Sequence, residues 1–218
     1  MSSEPASSAS HFNAELNFER LVFFSDAVMA IAITLLAVEL KVPEIAPALA
    51  AEELPHALQE MTPRFISFVI SFFVIGIYWM SHHRAYGFIK RYDTRLLLLN
   101  LIFLLFIVTL PFVTHLIGEY GNMPLPNVIY ALDVAMLGFA TSATWFYATH
   151  RHRLVDPALD PQLVRLIGLS AVSAPLIFLL SIPFALVTPY IQVIWVLAAV
   201  AAAFLGRRIA ARSVTGDG

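Results

Sequence analysis

Residues 20–40, RLVFFSDAVMAIAITLLAVEL, decide the fold class of this chain. After Arg20 the run is almost wholly apolar and, at about 1.5 Å per residue, long enough to cross a bilayer. Asp26 lies within its first turns, where an ionisable side chain is costly and usually faces protein or water rather than lipid. The stretch therefore predicts a first transmembrane helix that carries the function.

The composition is that of a membrane protein. Of 218 residues, 59% are hydrophobic and 13% are charged, and the mean hydropathy is +0.78. A soluble domain carries about a quarter charged residues. A net charge of -2 gives no sign of nucleic-acid binding. The absence of cysteine excludes disulfides, thiolate metal ligands and cysteine nucleophiles.

Hydropathy predicts an all-α membrane protein with six transmembrane helices. The predicted spans are 21–40, 65–83, 96–117, 128–148, 163–187 and 191–206. Residues 1–18 are predicted to be a disordered cytoplasmic tail, 19–206 the six-helix domain, and 207–218 a cytoplasmic C-terminal tail. The Pro- and Glu-rich segment 41–64 is predicted to be a loop, and spans five and six a tight helical hairpin.

Basic residues set the predicted orientation. Of the 13 Lys and Arg residues, all except Lys41 and Arg64 fall on the same side of the predicted spans as the N-terminus. The positive-inside rule then places that side in the cytoplasm. An even number of spans puts the C-terminus there too, so both termini are predicted to be cytoplasmic.

Polar side chains are predicted to gather in the cytoplasmic half of the membrane. Trp79, His82 and His83 end span two, and Asn100 lies inside span three. Indole, imidazole and amide groups need hydrogen-bond partners in lipid. Asp26 is an acceptor at a similar depth, so we expect these side chains to meet it.

The residues around Asp26 admit two interpretations. Ser25 and Asp26 either pair with other helices or cap and anchor the start of their own helix. Arg20 lies six residues before Asp26, which is too far for an ideal pair on one helix. Arg20 would therefore pair with Asp26 across a break in the helix, or with a residue of another helix. Asp133, early in span four, is expected near the outer membrane interface.

One face of the first helix also admits two interpretations. Ile31, Thr34 and Val38 share that face at helical spacing, with Leu35 at its edge. Such a stripe is typical of ordinary helix packing, and it also suits a pore that is gated by an apolar constriction. Glu39, at the outer end, either concentrates cations at a pore mouth or is a solvated helix end.

Histidines raise the question of a metal site or an enzyme. His82, His83, His150 and His152 include two adjacent pairs, and adjacent residues on a helix point about 100° apart. They do not match the spacing of helical metal-ligand pairs, and carboxylate ligands are missing at suitable positions. With no phosphate loop and no Ser/His/Asp arrangement, we expect no metal centre, no cofactor and no enzyme activity.

Arg20, Phe24, Ser25 and Asp26 form an Arg-x-x-x-Phe-Ser-Asp motif. It resembles the signature of the transmembrane protein 175 family of potassium channels. The resemblance continues through AVMAIAITLLAVEL, YWMSHHRAY (78–86) and LLLLNLIFLLFIVTLPF (96–112), about the first half of the chain. A single copy of the motif with six spans resembles the prokaryotic form.

The resemblance implies a homotetramer in which the first helix of each subunit lines a central pore. Ile31, Leu35 and Val38 would form the apolar constriction, with Val38 smaller than the leucine of some relatives. Thr34 would supply a hydroxyl layer associated with cation preference. The structural motif would tie the first helix to its neighbours through Arg20, Phe24, Ser25, Asp26, Trp79, His82, His83 and Asn100.

The prediction for function is a potassium-preferring cation channel in a bacterial plasma membrane. K⁺ and Cs⁺ are expected to permeate, Na⁺ more weakly, with the bilayer and further copies of the chain as partners and no nucleic acid. The alternative is a proton-coupled secondary transporter with Asp26 as its proton carrier. Discontinuous helices would favour it, but Pro175 and Pro183 have no repeat-related counterparts.

Overall fold

The computed structural model describes residues 5–188 and 191–195, and the side chains from Leu16 onward with the exception of Asn17. The described residues form six α-helices, one short 3₁₀ helix, His150–His152, and a helical segment at 191–195. The α-helices are α1 (Pro5–Val38), α2 (Ala50–Glu60), α3 (Thr62–Phe88), α4 (Thr94–Tyr120), α5 (Pro124–Thr149) and α6 (Pro161–Ala185). The predicted all-α fold class is confirmed for this part of the chain.

In the part of the chain that the structure describes, five helices are long and apolar enough to cross a membrane. These segments are Phe18–Val38, Thr62–Phe88, Thr94–Tyr120, Pro124–His152 and Pro161–Ala185. They coincide with the first five predicted spans. Of predicted span six, residues 191–195 are helical and the remainder lies outside the described residues, as does the predicted tail 207–218.

Two segments differ from their sequence-based prediction. Residues 5–17 are helical, although a disordered tail is predicted there. Pro5 suits the first helical position, and the Ala, Glu and Leu residues that follow are good helix formers with no breaker before the membrane segment. The predicted loop 41–64 contains α2, which has Leu54 and Leu58 on one face and its glutamates on the other.

α4 occupies the centre of the bundle. It packs against α1, α3 and α5, and α6 packs against the far side of α5. The core between them is apolar, with Ile75 of α3, Ile107 of α4 and Leu137 of α5 fully buried. This arrangement leaves α1 and α6 at opposite edges of the described part of the subunit.

The first residues of predicted span six pack back onto α5 and α6. Trp195 Nε1 donates a hydrogen bond to Ser181 Oγ at 2.9 Å. The Trp195 ring stacks on Tyr130 with centroids 5.4 Å apart, and Ile191 is fully buried. The indole therefore finds the polar partner that a buried tryptophan needs.

Asp93 joins three elements at the other end of the bundle. Its carboxylate caps α4 by accepting a hydrogen bond from Leu96 N at 2.9 Å, and it also accepts one from the Tyr147 hydroxyl. Arg153 lies 3.6 Å away. Partial burial opposes ionisation, but these hydrogen bonds and the arginine outweigh it and lower the pKa of Asp93 below its ordinary value.

Candidate pore helix and its anchoring network

α1 has one buried face and one uncovered face. Ser25, Met29, Ala32 and Leu36 follow one another at three- and four-residue spacing and are buried against the bundle. The opposite face is exposed along its whole length in the membrane segment. The described part of the subunit therefore leaves one face of its first helix uncovered.

The predicted constriction residues lie on the uncovered face. Ile31 is 59% exposed, Leu35 45% and Val38 69%. Thr34 is exposed between them, and its hydroxyl donates to the Ile31 carbonyl at 2.8 Å. Because the hydroxyl hydrogen is used inside the helix, the oxygen lone pairs of Thr34 remain available on the exposed face.

Asn100 is the centre of a buried hydrogen-bond network that binds α1 to α3 and α4. Its Nδ2 donates to Ser25 Oγ at 2.9 Å, and Ser25 Oγ donates in turn to the Leu21 carbonyl at 2.9 Å. Its Oδ1 accepts from the Tyr86 hydroxyl at 3.1 Å and lies 2.9 Å from His82 Nε2. Since an amide oxygen only accepts, Nε2 of His82 carries the hydrogen of that bond.

Asp26 is bound by one indole. Trp79 Nε1 donates to Asp26 Oδ1 at 3.0 Å. Both side chains are only partly covered by their own subunit, in contrast to the fully buried Ser25. The structure thus brings Ser25, Asp26, Trp79, His82 and Asn100 together at one depth, in two adjoining groups.

Three residues of the predicted motif lie outside this network. His83 is exposed and touches it only by stacking on Trp79, with ring centroids 5.9 Å apart. Phe24 is 51% exposed. Arg20 is exposed, α1 has no break between Arg20 and Asp26, and Arg20 has no hydrogen-bond or ion-pair partner among the described residues.

Tyr86 also belongs to the network, although the sequence did not single it out as a site residue. It lies one helical turn after His82, and the two rings stack with centroids 4.0 Å apart. The four-residue spacing on one helix face was the signal that would have found it.

The outer end of α1 carries charged side chains. Glu39 follows α1 directly, and its Oε2 lies 3.4 Å from His115 Nδ1 on α4. Arg64 of α3 forms an ion pair with Glu119 of α4, with Nη2 and Oε2 3.0 Å apart. Glu39 is 42% exposed at its side chain, so it is accessible to solvent beside the uncovered face of α1.

Two predictions about polar residues remain, one for the histidines and one for Asp133. Among the described residues, no three His, Cys, Asp or Glu side chains are grouped so as to hold a metal ion. Asp133, which was expected near the outer membrane interface, is 9% exposed and contacts Thr109 inside the bundle. Its helix begins at Pro124, before the predicted start of span four.

Comparison with known proteins points to one family. A family model described as the endosomal/lysosomal potassium channel TMEM175 matches residues 20–111. A potassium channel of Streptomyces collinus is 34% identical over 176 residues, which cover 72% of this chain and 84% of that protein. A potassium channel of a Chryseobacterium species is 35% identical over 121 residues, covering 56% and 59% of the two chains.

A solved structure has a similar fold. It is described as the crystal structure of a lysosomal potassium-selective channel TMEM175 homolog from Chamaesiphon minutus. It aligns with a TM-score of 0.73 at 27% identity and covers 88% of this chain and 97% of that chain. These relatives are named as channels rather than enzymes. The chain is a multi-pass membrane protein that belongs to the TMEM175 family of ion channels.

Proposed function

We propose that this chain forms a potassium-preferring cation channel, a homotetramer with α1 of each subunit lining a central pore. The observation that carries the proposal is the uncovered apolar face of α1. Ile31, Leu35 and Val38 are about half exposed or more, and no other part of the described chain covers them. The relatives named as potassium channels support the same function.

The proposed constriction works by excluding water. Four copies of Ile31, Leu35 and Val38 would stack three apolar rings over about 10 Å of pore, at about 1.5 Å per residue. Rings of this kind gate by dewetting and offer no oxygen to replace the hydration shell of an ion. Val38 is the smallest of the three, so its ring would be the widest.

Ion preference is assigned to Thr34 and Glu39. The Thr34 oxygen faces the proposed pore between the apolar rings, where it can coordinate a partly dehydrated cation. Glu39 places a carboxylate at the outer mouth and raises the local cation concentration. One hydroxyl layer gives a modest preference, so K⁺ and Cs⁺ are expected to pass more readily than Na⁺.

The Asn100 network is proposed to hold the pore helix in place. Ser25, on the buried face of α1, is bound to Asn100. Rotation of α1 would therefore break buried hydrogen bonds in a lipid environment. Arg20, Phe24 and His83 are assigned to contacts with neighbouring subunits, because they are exposed in the described part of the subunit.

We also propose a bacterial plasma membrane location with both termini in the cytoplasm. Two of the relatives named as potassium channels are bacterial. Among the described residues, most of the basic ones, including Lys90 and Arg95, lie at the end of the bundle where α3 ends and α4 begins, which the positive-inside rule assigns to the cytoplasm.

Gradient-driven flux tests the proposal against a proton-coupled transporter. The protein is reconstituted into liposomes with a K⁺ gradient, and the membrane potential and the internal pH are recorded together. The experiment is then repeated with a gradient of Cs⁺ or of Na⁺. A channel gives passive, non-saturating flux that follows the ion gradient without an imposed pH difference. Flux that requires a proton gradient and saturates would favour the transporter and make Asp26 its coupling site.

A further inference from the structure

Asp133 lies inside the bundle on α5, not on the proposed pore helix α1. At about 1.5 Å per residue it is about 13 Å from the start of α5, which is close to the middle of a hydrocarbon core about 30 Å thick. It is 9% exposed, and its Oδ2 atom is buried without a hydrogen-bond partner among the described residues.

No positive charge faces Asp133 from the described helices around it. The titratable groups near it are the hydroxyls of Tyr78 on α3 and Tyr130 on α5. α4 has no charged or titratable residue between Arg95 and His115, and α6 has none after Arg165. Residues 191–195, which pack on the same side of α5, have none either.

The tyrosine hydroxyls have other partners. Tyr78 donates to the Val134 carbonyl at 3.2 Å, and the Tyr130 hydroxyl shares a hydrogen bond with Ser71 Oγ at 3.1 Å. An ionised Asp133 would therefore be an uncompensated charge near the bilayer centre, which costs several kcal/mol or more. A neutral carboxylic acid avoids that cost.

The hydrogen bonds around Thr109 also favour a neutral Asp133. Thr109 Oγ1 lies 2.6 Å from Asp133 Oδ1, 3.0 Å from the Phe106 carbonyl and 3.3 Å from the Leu105 carbonyl. Its hydroxyl has one hydrogen, and a helical threonine commonly donates it to the carbonyl three or four residues earlier. The hydrogen in the 2.6 Å contact then comes from the carboxyl group of Asp133.

We propose that Asp133 is a proton-binding site in the middle of the membrane. Its ligand is a single proton, which makes the side chain a neutral acid that donates to Thr109 and links α5 to α4. The site is separate from the Asn100 network, which lies about 13 Å along α4 from Thr109 at about 1.5 Å per residue.

Infrared spectroscopy of the reconstituted full-length protein at neutral pH tests the assignment. The wild-type spectrum is expected to contain a carbonyl stretch of a protonated carboxylic acid, and Asp133→Asn is expected to remove it. Asp156→Asn is the matched control, because Asp156 is an exposed aspartate in the segment after α5. A wild-type spectrum without an acid band, or one that Asp133→Asn leaves unchanged, would overturn the proposal.

A second variant keeps the test valid if Asp133→Asn fails to fold. Thr109→Val removes the hydrogen-bond acceptor and preserves the shape of the side chain. The acid band is expected to persist and to move to higher frequency, since the carboxyl group loses its partner. An unchanged band position in Thr109→Val would show that the acid in question is not bound to Thr109 and would overturn the assignment.

Discussion

Replacing Asn100 by alanine is expected to destabilise the subunit more than any other single change in the network. The substitution removes contacts with three buried side chains, those of Ser25, His82 and Tyr86. A hydrogen bond between transmembrane helices contributes on average about 0.6 kcal/mol, and one in a soluble protein about 1 kcal/mol. Three such bonds give an expected loss of about 2–3 kcal/mol in the free energy of unfolding.

A comparison of two buried serines separates the contribution of the hydrogen bond between helices from that of burying a hydroxyl. Ser25→Ala removes the bond to Asn100, whereas Ser67→Ala removes a buried hydroxyl whose hydrogen bond goes only to the Pro63 carbonyl of its own helix. Ser25→Ala is expected to cost about 1 kcal/mol more than Ser67→Ala. The double variant of Ser25 and Asn100 is expected to cost less than the sum of the two single changes, because both remove the same bond.

Equilibrium unfolding in mixed micelles with increasing sodium dodecyl sulfate measures these differences. Tryptophan fluorescence reports the transition, and all variants are compared at one protein concentration because oligomer stability depends on it. An Asn100→Ala variant as stable as Ser67→Ala would refute the reasoning. So would strictly additive effects of Ser25→Ala and Asn100→Ala.

Three further outcomes are expected. Glu39→Gln should lower K⁺ conductance at low ionic strength and approach wild type at high salt, because salt screens a mouth charge; an equal loss at both would contradict this role. Asp26→Ala should reduce the yield of assembled oligomer on size-exclusion chromatography more than the flux per oligomer, because Trp79 loses its acceptor; wild-type assembly would contradict it. Asp93 has a lowered pKa, so its stabilising contribution is present above the ordinary aspartate pKa and is lost as pH falls through the lowered value. Thermal unfolding of Asp93→Asn should therefore differ from wild type at neutral pH and converge with it in acid.

The spanning helices were predictable because lipid imposes a simple requirement. Each helix needs about 20 apolar residues, and hydropathy alone detects such runs. α2 was missed because it is short, contains Pro55 and has acidic residues on one face, a composition also typical of loops. Residues 5–17 were missed because Ser- and Ala-rich sequences occur in both disordered tails and helices.

The anchoring network was partly predictable from the need of buried polar groups for partners. That need correctly brought Asp26 to Trp79, but Asn100, which was also expected to meet Asp26, bonds to Ser25 instead. It did not say which face of α3 points inward, so exposed His83 was expected beside buried His82. Adjacent residues on a helix differ by about 100° in direction, and only packing decides which of them is buried.

The position of Asp133 depended on where its helix begins. The sequence favoured a start near Val128, because Pro124 and Pro126 are typical of a loop. In the structure these prolines occupy the first turn of α5, where their missing N–H groups cost nothing. Starting the helix at Pro124 places Asp133 one turn further along α5, where it is buried and contacts Thr109 of α4.

Single-channel conductance of Ile31→Asn tests the central claim, that the uncovered face of α1 lines the pore. Leu180→Asn is the matched control, because Leu180 is 69% exposed on α6, at the opposite edge of the described subunit. Ile31→Asn is expected to wet the constriction, raising conductance and lowering the preference for K⁺ over Na⁺, while Leu180→Asn leaves both unchanged. Unaltered currents in Ile31→Asn, or equal changes in the two variants, would contradict the account.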